Sequence, residues 1–217
     1  MTELSAAQTF AVSVLPVLFA ITVHEVAHGW VAKQLGDQTA FQLGRLTLNP
    51  IKHIDPVGTL LVPGILLLMG GFIFGWAKPV PVITRNLRNP KRDMMLVAFA
   101  GPFANLIMAL MWAVVMKIGY GLTEDFSWVG VPLIYMAGMG IFINLLLFVL
   151  NLLPLPPLDG GRILAGLLPA KVAVKYESIE RYGLFIMIGL LISGILAKII
   201  LPPVSVIQQT LYNLFGL

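Results

Sequence analysis

The sequence contains no cysteine and little charge. Lys and Arg total 14 and Asp and Glu total 10, so charged residues make up only 11% of its 217 residues. Without cysteine there is no disulfide framework and no zinc–thiolate site. The net charge of +4 is small, and the basic residues fall in short polar connections. They therefore indicate on which side of the membrane each connection lies, and no nucleic-acid partner is expected.

Apolar residues dominate instead. They make up 58% of the chain, and the mean hydropathy is +0.91, which predicts an integral protein of the lipid bilayer. We predict an all-α polytopic membrane protein with about four to five transmembrane helices. The predicted spans are residues 5–34, 94–117, 131–153 and 182–201. The tail 204–217 has apolar residues at helical spacing, so we predict a helix along the membrane interface.

One apolar stretch, residues 57–76, conflicts with the charge bias around it. Basic residues follow the first predicted helix and recur in the loop 85–92, and both groups favour the cytoplasm. The stretch between them must then enter and leave the membrane on one side. We predict a re-entrant hairpin broken near Pro63 and Gly64, with a straight crossing as the alternative.

Two polar connections have the character of extended chain. Residues 39–48 alternate in part between apolar and polar side chains, and prolines extend residues 77–82. We predict that the two stretches form a small membrane-associated β-sheet. Its edge would accept an extended peptide by strand addition.

A short polar motif lies inside the first predicted helix. His24 and His28 are four residues apart, so both imidazoles reach one metal ion from the same side of the helix. Glu25 projects from the next position, which suits a base beside the metal. The alternative is a pair of core histidines satisfied by hydrogen bonds. Ionisable groups at membrane depth are costly, however, and indicate a functional site.

A bend rich in proline and glycine, residues 151–162, carries a third candidate ligand. Asp159 is the only acid between Asp125 and Glu177. The prolines prevent a regular helix, and the two glycines after Asp159 allow close approach of the backbone. The carboxylate would complete a His/His/Asp set and leave a fourth position for water. Alternatively, Asp159 caps a helix at 160–168, a role that does not exclude metal binding.

Together these motifs resemble the site-2 protease family of intramembrane zinc metalloproteases. The resemblance extends in order from about residue 15 to 165. It rests on His24-Glu25-Val-Ala-His28, Gly101-Pro-Phe-Ala-Asn105 and Asn151-x-x-Pro-x-Pro-x-Leu-Asp159-Gly. Residues 44–50 and 74–81 are similar to a compact bacterial subgroup without PDZ or CBS domains.

The resemblance implies a zinc-dependent metalloendopeptidase. His24, His28 and Asp159 would bind one Zn²⁺ per chain, and Glu25 would move a proton from water to the leaving amine. The substrates would be single-span membrane proteins, cut within or near their transmembrane segments in regulated intramembrane proteolysis. We expect a multi-pass protein of the inner (cytoplasmic) membrane, with its active site towards the cytoplasm.

The same resemblance implies that residues 1–217 form a single protease domain. Its catalytic core would cover about 5–168, and the C-terminal span with the interfacial helix about 182–217.

Three further polar residues have candidate roles. By resemblance, Asn151 is a substrate-backbone or oxyanion contact, and Asn105 is a second candidate substrate contact, because Asn offers both a donor and an acceptor. Helix–helix hydrogen bonding is the alternative for Asn151, and close packing with Gly101 is the alternative for Asn105. His53 is a substrate contact, an accessory metal ligand or an ordinary loop residue.

Two other function classes use similar residues. A membrane metal-binding or transport protein would need the same ligands, but transporters tend to have internal repeats, and none is evident here. An inactive membrane scaffold would have no need of Glu25 beside a complete ligand set.

Overall fold

A computed structural model of the chain describes residues 5–61, 65 and 77–217. Within these residues the regular structure is helical. The α-helices are α1 (Ala6–Gln34), α2 (Thr39–Gln42), α3 (Pro90–Gly121), α4 (Ser127–Asn151), α5 (Asp159–Leu167), α6 (Ala170–Glu177), α7 (Glu180–Ile192) and α8 (Ile195–Phe215). Short 3₁₀ helices occupy Pro50–His53 and Thr84–Asn86, and a π-helical turn occupies Pro56–Leu61.

Four of these helices are long and apolar enough to cross a membrane, namely α1, α3, α4 and α8. The shortest, α8, has 21 residues. At 1.5 Å per residue it is about 31 Å long, which matches a hydrocarbon core of about 30 Å. The prediction of a polytopic helical membrane protein is confirmed.

Helix α1 has well-defined ends. A capping box begins it, because the Ser5 hydroxyl accepts from the Gln8 N–H at 3.3 Å and the Gln8 side chain accepts from the Ser5 N–H at 2.9 Å. It ends before Gly36, whose φ of 116° suits glycine. The His24–His28 motif therefore lies in about the last three turns of a continuous helix.

The apolar core lies where α3, α4 and α8 meet. Its buried members on α3 are small or flexible, and most of those on α4 and α8 are larger side chains. The α3 members are Ala109, Ala113 and Met116. The members on α4 and α8 are Ile134, Ala137, Ile141, Leu145, Leu196, Ile200, Val204 and Leu211. Alanines let neighbouring helices approach closely. Beyond this core, the Lys117 ammonium donates to the Phe215 carbonyl at 2.7 Å, so α3 and α8 end side by side.

The predicted β-sheet is wrong for the part of the chain that the structure describes, which contains no strand. Residues 39–48 begin with α2 and continue as a turn and irregular chain, and residues 77–82 have no regular secondary structure. Asp37 explains the difference, because its carboxylate accepts from both the N–H and the hydroxyl of Thr39, at 3.1 and 2.5 Å. Such local hydrogen bonds from a side chain to the nearby backbone favour a turn over a strand.

The last predicted span and the predicted interfacial tail also differ from the structure. The helix predicted over residues 182–201 is broken at Gly194, whose φ is 72°. Helix α7 ends before this glycine and α8 begins after it. The apolar helix long enough to cross is α8, and it includes most of the tail 204–217. Pro202 and Pro203 both lie inside α8. Membrane helices tolerate proline where neighbouring groups satisfy the freed carbonyls.

The predicted re-entrant hairpin at 57–76, and the straight crossing that rivals it, fall mostly outside the described residues. Of that stretch the structure describes only residues 57–61 and 65.

Candidate metal centre

Three separate elements bring the candidate site together. Helix α1 supplies His24, Glu25 and His28, helix α3 lies behind the two histidines, and the first residue of α5 is Asp159. The N-cap of α5 is Leu158, so Asp159 does not cap the helix and its carboxylate faces the imidazoles. Its place in the first turn is electrostatically favourable for an acid.

The three candidate ligand atoms form a nearly equilateral triangle. His24 Nε2 and His28 Nε2 are 3.1 Å apart, and they lie 3.2 and 3.3 Å from Asp159 Oδ2. Ligands bound tetrahedrally to Zn²⁺ at about 2.0–2.1 Å are separated from one another by about 3.3–3.4 Å. The spacing of these three atoms therefore fits a single zinc ion.

Hydrogen bonds on the far side of each ring fix where its proton lies. His28 Nδ1 lies 2.7 Å from the Val97 carbonyl, which can only accept. His24 Nδ1 lies 2.6 Å from Asn105 Oδ1, whose amide nitrogen donates elsewhere. Both Nδ1 atoms are therefore assigned the proton, and both Nε2 lone pairs point into the triangle.

The charges around the three atoms also indicate a metal ion between them. Burial alone would raise the pKa of Asp159, whereas positive charge on the neighbouring imidazoles would hold that pKa below the ordinary value, and a metal cation between the three atoms would act in the same direction. Oδ2 is buried and accepts no hydrogen bond from the described residues. Three converging lone pairs require a positive charge between them. A proton on one Nε2 would satisfy only some of the contacts, whereas a metal ion satisfies all three.

Gly101 makes room for the two imidazoles. A Cβ atom at this position of α3 would lie 2.4 Å from His28 Nε2 and 2.6 Å from His24 Cε1. Any larger residue would push both rings out of place. The glycine of the Gly101–Asn105 motif therefore has a direct structural function at the site.

Asn105 connects His24 to helix α4. Its amide nitrogen donates to the Ala20 carbonyl at 3.1 Å and to Asn144 Oδ1 at 2.9 Å. Asn144 in turn donates to the Gly140 carbonyl at 2.8 Å. Both asparagines are 0% exposed. This geometry favours a role for Asn105 in holding His24, and gives no support to the predicted substrate contact.

Asn144 is a residue that sequence reasoning missed. It is the one polar side chain in the apolar sequence between Tyr135 and Asn151, and polar groups at membrane depth are costly unless paired. That signal could have marked it. Its partner on α3 could not be inferred from spacing along the chain.

The remaining predicted residues lie at or beyond the edge of the triangle. Asn151 is the last residue of α4, and its amide donates to the Leu147 carbonyl of its own helix at 3.0 Å. Its substrate contact stays a prediction. His53 is 3% exposed and donates from Nε2 to the Thr47 carbonyl at 2.9 Å. The metal-donor group that the described residues form contains His24, His28 and Asp159, and does not include His53.

Glu25 is held by the main chain of a distant segment. Its Oε2 accepts from the Val80 N–H at 2.7 Å. Glu25 and His28 are partly exposed, while His24 and Asp159 are buried. A partly exposed carboxylate therefore lies on the same helix as the two histidines.

The fold and the site define a class of protein, namely polytopic helical membrane proteins with a buried His/His/Asp metal centre and a neighbouring glutamate. The family model described as Peptidase family M50 matches residues 12–130 and 121–194. The chain belongs to this family, which is that of the site-2 proteases.

Its relatives carry consistent names. The chain is 40% identical over 205 residues to "Putative zinc metalloprotease YwhC" of Bacillus subtilis (strain 168), covering 94% of this chain and 90% of that protein. It is 30% identical over 183 residues to "Putative zinc metalloprotease Rip2" of Mycolicibacterium smegmatis, covering 83% of this chain and 66% of that protein. "Zinc metalloprotease MJ0392" of Methanocaldococcus jannaschii is 25% identical, covering 75% of this chain and 36% of that protein. No solved structure matches the chain significantly.

Proposed function

We propose that this protein is a zinc endopeptidase that hydrolyses peptide bonds within or near the transmembrane segments of single-span membrane proteins. The observation that carries the proposal is the triangle of His24 Nε2, His28 Nε2 and Asp159 Oδ2, with sides of 3.1–3.3 Å. Its spacing and unprotonated state fit zinc, and family membership and the names of the relatives agree with that metal.

In this proposal His24, His28 and Asp159 hold the ion, and their second contacts keep them in place. Bound zinc supplies Lewis acidity, which polarises a carbonyl group and makes water acidic near neutral pH. The Nδ1 contacts of His24 and His28 keep both Nε2 atoms available as ligands. Three protein ligands would leave room for one further ligand, which would be water or substrate.

Glu25 then serves as the base. Its carboxylate takes a proton from the attacking water as the water oxygen bonds to the scissile carbonyl carbon. The same proton passes to the amide nitrogen as the C–N bond breaks, which gives a carboxylic acid and an amine, and loss of the acid's proton to the amine then gives a carboxylate and an ammonium group. One oxygen of Glu25 is engaged by the Val80 N–H, so the other is available for this transfer.

We further propose that the site faces the cytoplasm. Basic residues concentrate near the end of α1 that carries the site and in the connection before α3: Lys33, Arg45, Lys78, Arg85, Arg88, Lys91 and Arg92. The positive-inside rule places such connections in the cytoplasm. Water would reach the site from that side.

Metal content and peptide-bond cleavage of the Glu25→Gln variant test the proposal. The full chain would be measured in detergent with a panel of single-span substrates, beside the wild type and Glu124→Gln, which alters an exposed acid between α3 and α4. We expect about one zinc per chain in all three proteins. Cleavage should fall about a hundredfold to ten-thousandfold in Glu25→Gln and stay at the wild-type level in Glu124→Gln.

Two outcomes would contradict the proposal. Cleavage by Glu25→Gln at the wild-type rate would exclude Glu25 as the base. Zinc binding without cleavage of any substrate by the wild type would favour the metal-binding or scaffold alternatives.

A further inference from the structure

Residues 77–83, here called the strap, form an extended segment that contacts Glu25. Pro79 and Pro81 flank Val80 and have no N–H, so Val80 carries the only backbone donor between Lys78 and Val82. The Val80 N–H donates to Glu25 Oε2 at 2.7 Å. Prolines also restrict their own φ and keep the preceding residues extended, so the strap has little freedom to present this donor elsewhere.

The strap is fastened on both sides of Val80. On one side, the Lys78 N–H donates to the His53 carbonyl at 2.9 Å, and the Arg45 guanidinium donates to the Lys78 carbonyl at 2.9 Å. On the other side, the Ile83 N–H donates to Asp37 Oδ2 at 2.6 Å. Contacts before and after Val80 therefore fix its position along α1.

Asp37 is a well-anchored attachment point. It is 1% exposed, and its other oxygen accepts from the Thr39 N–H and hydroxyl and from the Asn86 amide. Burial alone would raise the pKa of Asp37, but the hydrogen bonds from Thr39, Asn86 and Ile83 hold it below the ordinary value. The strap is thus bound at Ile83 to a carboxylate that is itself held in place.

The strap also lies very close to α1. The Val80 side chain is 7% exposed and packs over Gly29, the residue after His28. A Cβ atom on Gly29 would lie 2.7 Å from Val80 Cγ1 and 2.5 Å from Leu46 Cδ2. Only glycine permits this approach, and the approach brings the Val80 N–H within reach of Glu25.

We propose that the strap orients the catalytic base. The Val80 N–H fixes one carboxylate oxygen of Glu25 and leaves the other directed at the reacting water, and Arg45 and Asp37 are positioning residues that act through the strap. A glutamate side chain otherwise samples several rotamers, and a charge-assisted hydrogen bond selects one of them. This inference rests on the proposed function, because it takes Glu25 as the base.

The contact itself can be tested without proteolysis, by amide hydrogen exchange in the full-length protein. Glu25→Ala removes the acceptor, whereas Glu25→Gln keeps an acceptor oxygen in the same place. We expect the Val80 amide to exchange at least about tenfold faster in Glu25→Ala and near the wild-type rate in Glu25→Gln. The Lys78 amide, which donates to His53, is the internal control. Unchanged exchange of Val80 in Glu25→Ala would overturn the proposal.

The effect on the reaction is tested with Val80→Pro, which removes the donor from an already extended segment. We expect kcat to fall about tenfold to hundredfold, with KM within about twofold and zinc content unchanged. Val82→Pro is the matched control, because the Val82 N–H has no partner among the described residues. It should stay within about threefold of the wild type. A kcat at or above the wild-type value in Val80→Pro, or a change in KM alone, would overturn the proposal.

Arg45→Gln provides a second variant should Val80→Pro fail to fold. Its kcat should fall at least about threefold with KM unchanged, and Arg45→Lys should restore part of the loss, because Lys can still donate to the Lys78 carbonyl. A wild-type kcat in Arg45→Gln would exclude Arg45 as a positioning residue. Failure of the wild type to cleave any substrate would refute the proposed function, while the exchange experiment still decides whether the strap holds Glu25.

Discussion

The interface between α3 and α4 has two halves of opposite character. Near the metal triangle, Asn105 and Asn144 join the helices through a buried hydrogen bond that continues to His24. About one and two turns further along α3, Ala109 and Ala113 pack against apolar residues of α4. Hydrogen bonds depend on direction, whereas apolar contacts tolerate small shifts. The polar half therefore sets the position of a ligand, and the apolar half mainly contributes stability.

The largest effect should come from Gly101→Ala at the polar half. The new methyl group would lie about 2.4 Å from His28 Nε2, so both imidazoles would have to move. We expect loss of stoichiometric zinc and no detectable cleavage. Gly121→Ala is the matched control, because a Cβ atom at that position of α3 meets nothing within 4 Å. Stoichiometric zinc in Gly101→Ala, measured by elemental analysis, would refute this account.

Asn105→Ala removes the acceptor of the His24 ring proton. Loss of such a contact behind a metal ligand typically weakens metal binding about 10–100-fold, which we expect here in competition with a chelator of known affinity. Asn144→Ala should have a smaller effect in the same direction, and Asn213→Ala, on the exposed face of α8, should have none. If Asn105 instead contacts substrate, its variant will raise KM and leave zinc affinity unchanged.

Asp37→Asn should lower the free energy of unfolding at neutral pH by about 1–3 kcal/mol, since several donors would lose their acceptor. The folded pKa of Asp37 is below its unfolded value of about 3.9, so its contribution is complete above that value and is lost as pH falls through the folded pKa. The difference between wild type and variant should therefore shrink in acid.

Unfolding in detergent at neutral pH and at about pH 3 measures this difference. Asp125→Asn, in the exposed connection between α3 and α4, provides the comparison and should leave stability unchanged. A gap of equal size at both pH values would contradict the assignment.

The smallest effect should come from Ile141→Val in the apolar half. Ile141 is 0% exposed, and removing one methyl group from such a site costs about 0.5–1.5 kcal/mol. Zinc content and kcat should stay at wild-type values, because no directional contact is lost. A loss of zinc in this variant would show that the two halves are not separate in function.

The sequence predicted what depends on local spacing and on composition. His24, Glu25 and His28 lie on consecutive turns of one helix, and Asp159 stood out as a lone acid in a proline-rich bend. The long spans followed from apolar composition. These features could be predicted because each is set by neighbours in the chain.

What was missed depends on distant partners. The Val80 N–H is 55 residues from Glu25, and a backbone donor leaves no mark on residue identity. Asn144 meets Asn105 across two helices. The turn at α2 depends on Asp37, which outweighed the partial alternation of the residues after it. The position of the last span depends on Gly194, not on the prolines inside α8.

The alternation of proline around Val80 has a consequence for how the chain tolerates change. Because the contact to Glu25 comes from the main chain, many side chains at position 80 would preserve the donor. Insertions and deletions are a different matter. A shift of the strap by one residue in either direction would place Pro79 or Pro81 opposite Glu25, and neither has an N–H to offer. The two prolines therefore fix the register of the strap against Glu25. A gain or loss of one residue would remove the hydrogen bond to Glu25 as completely as Val80→Pro would.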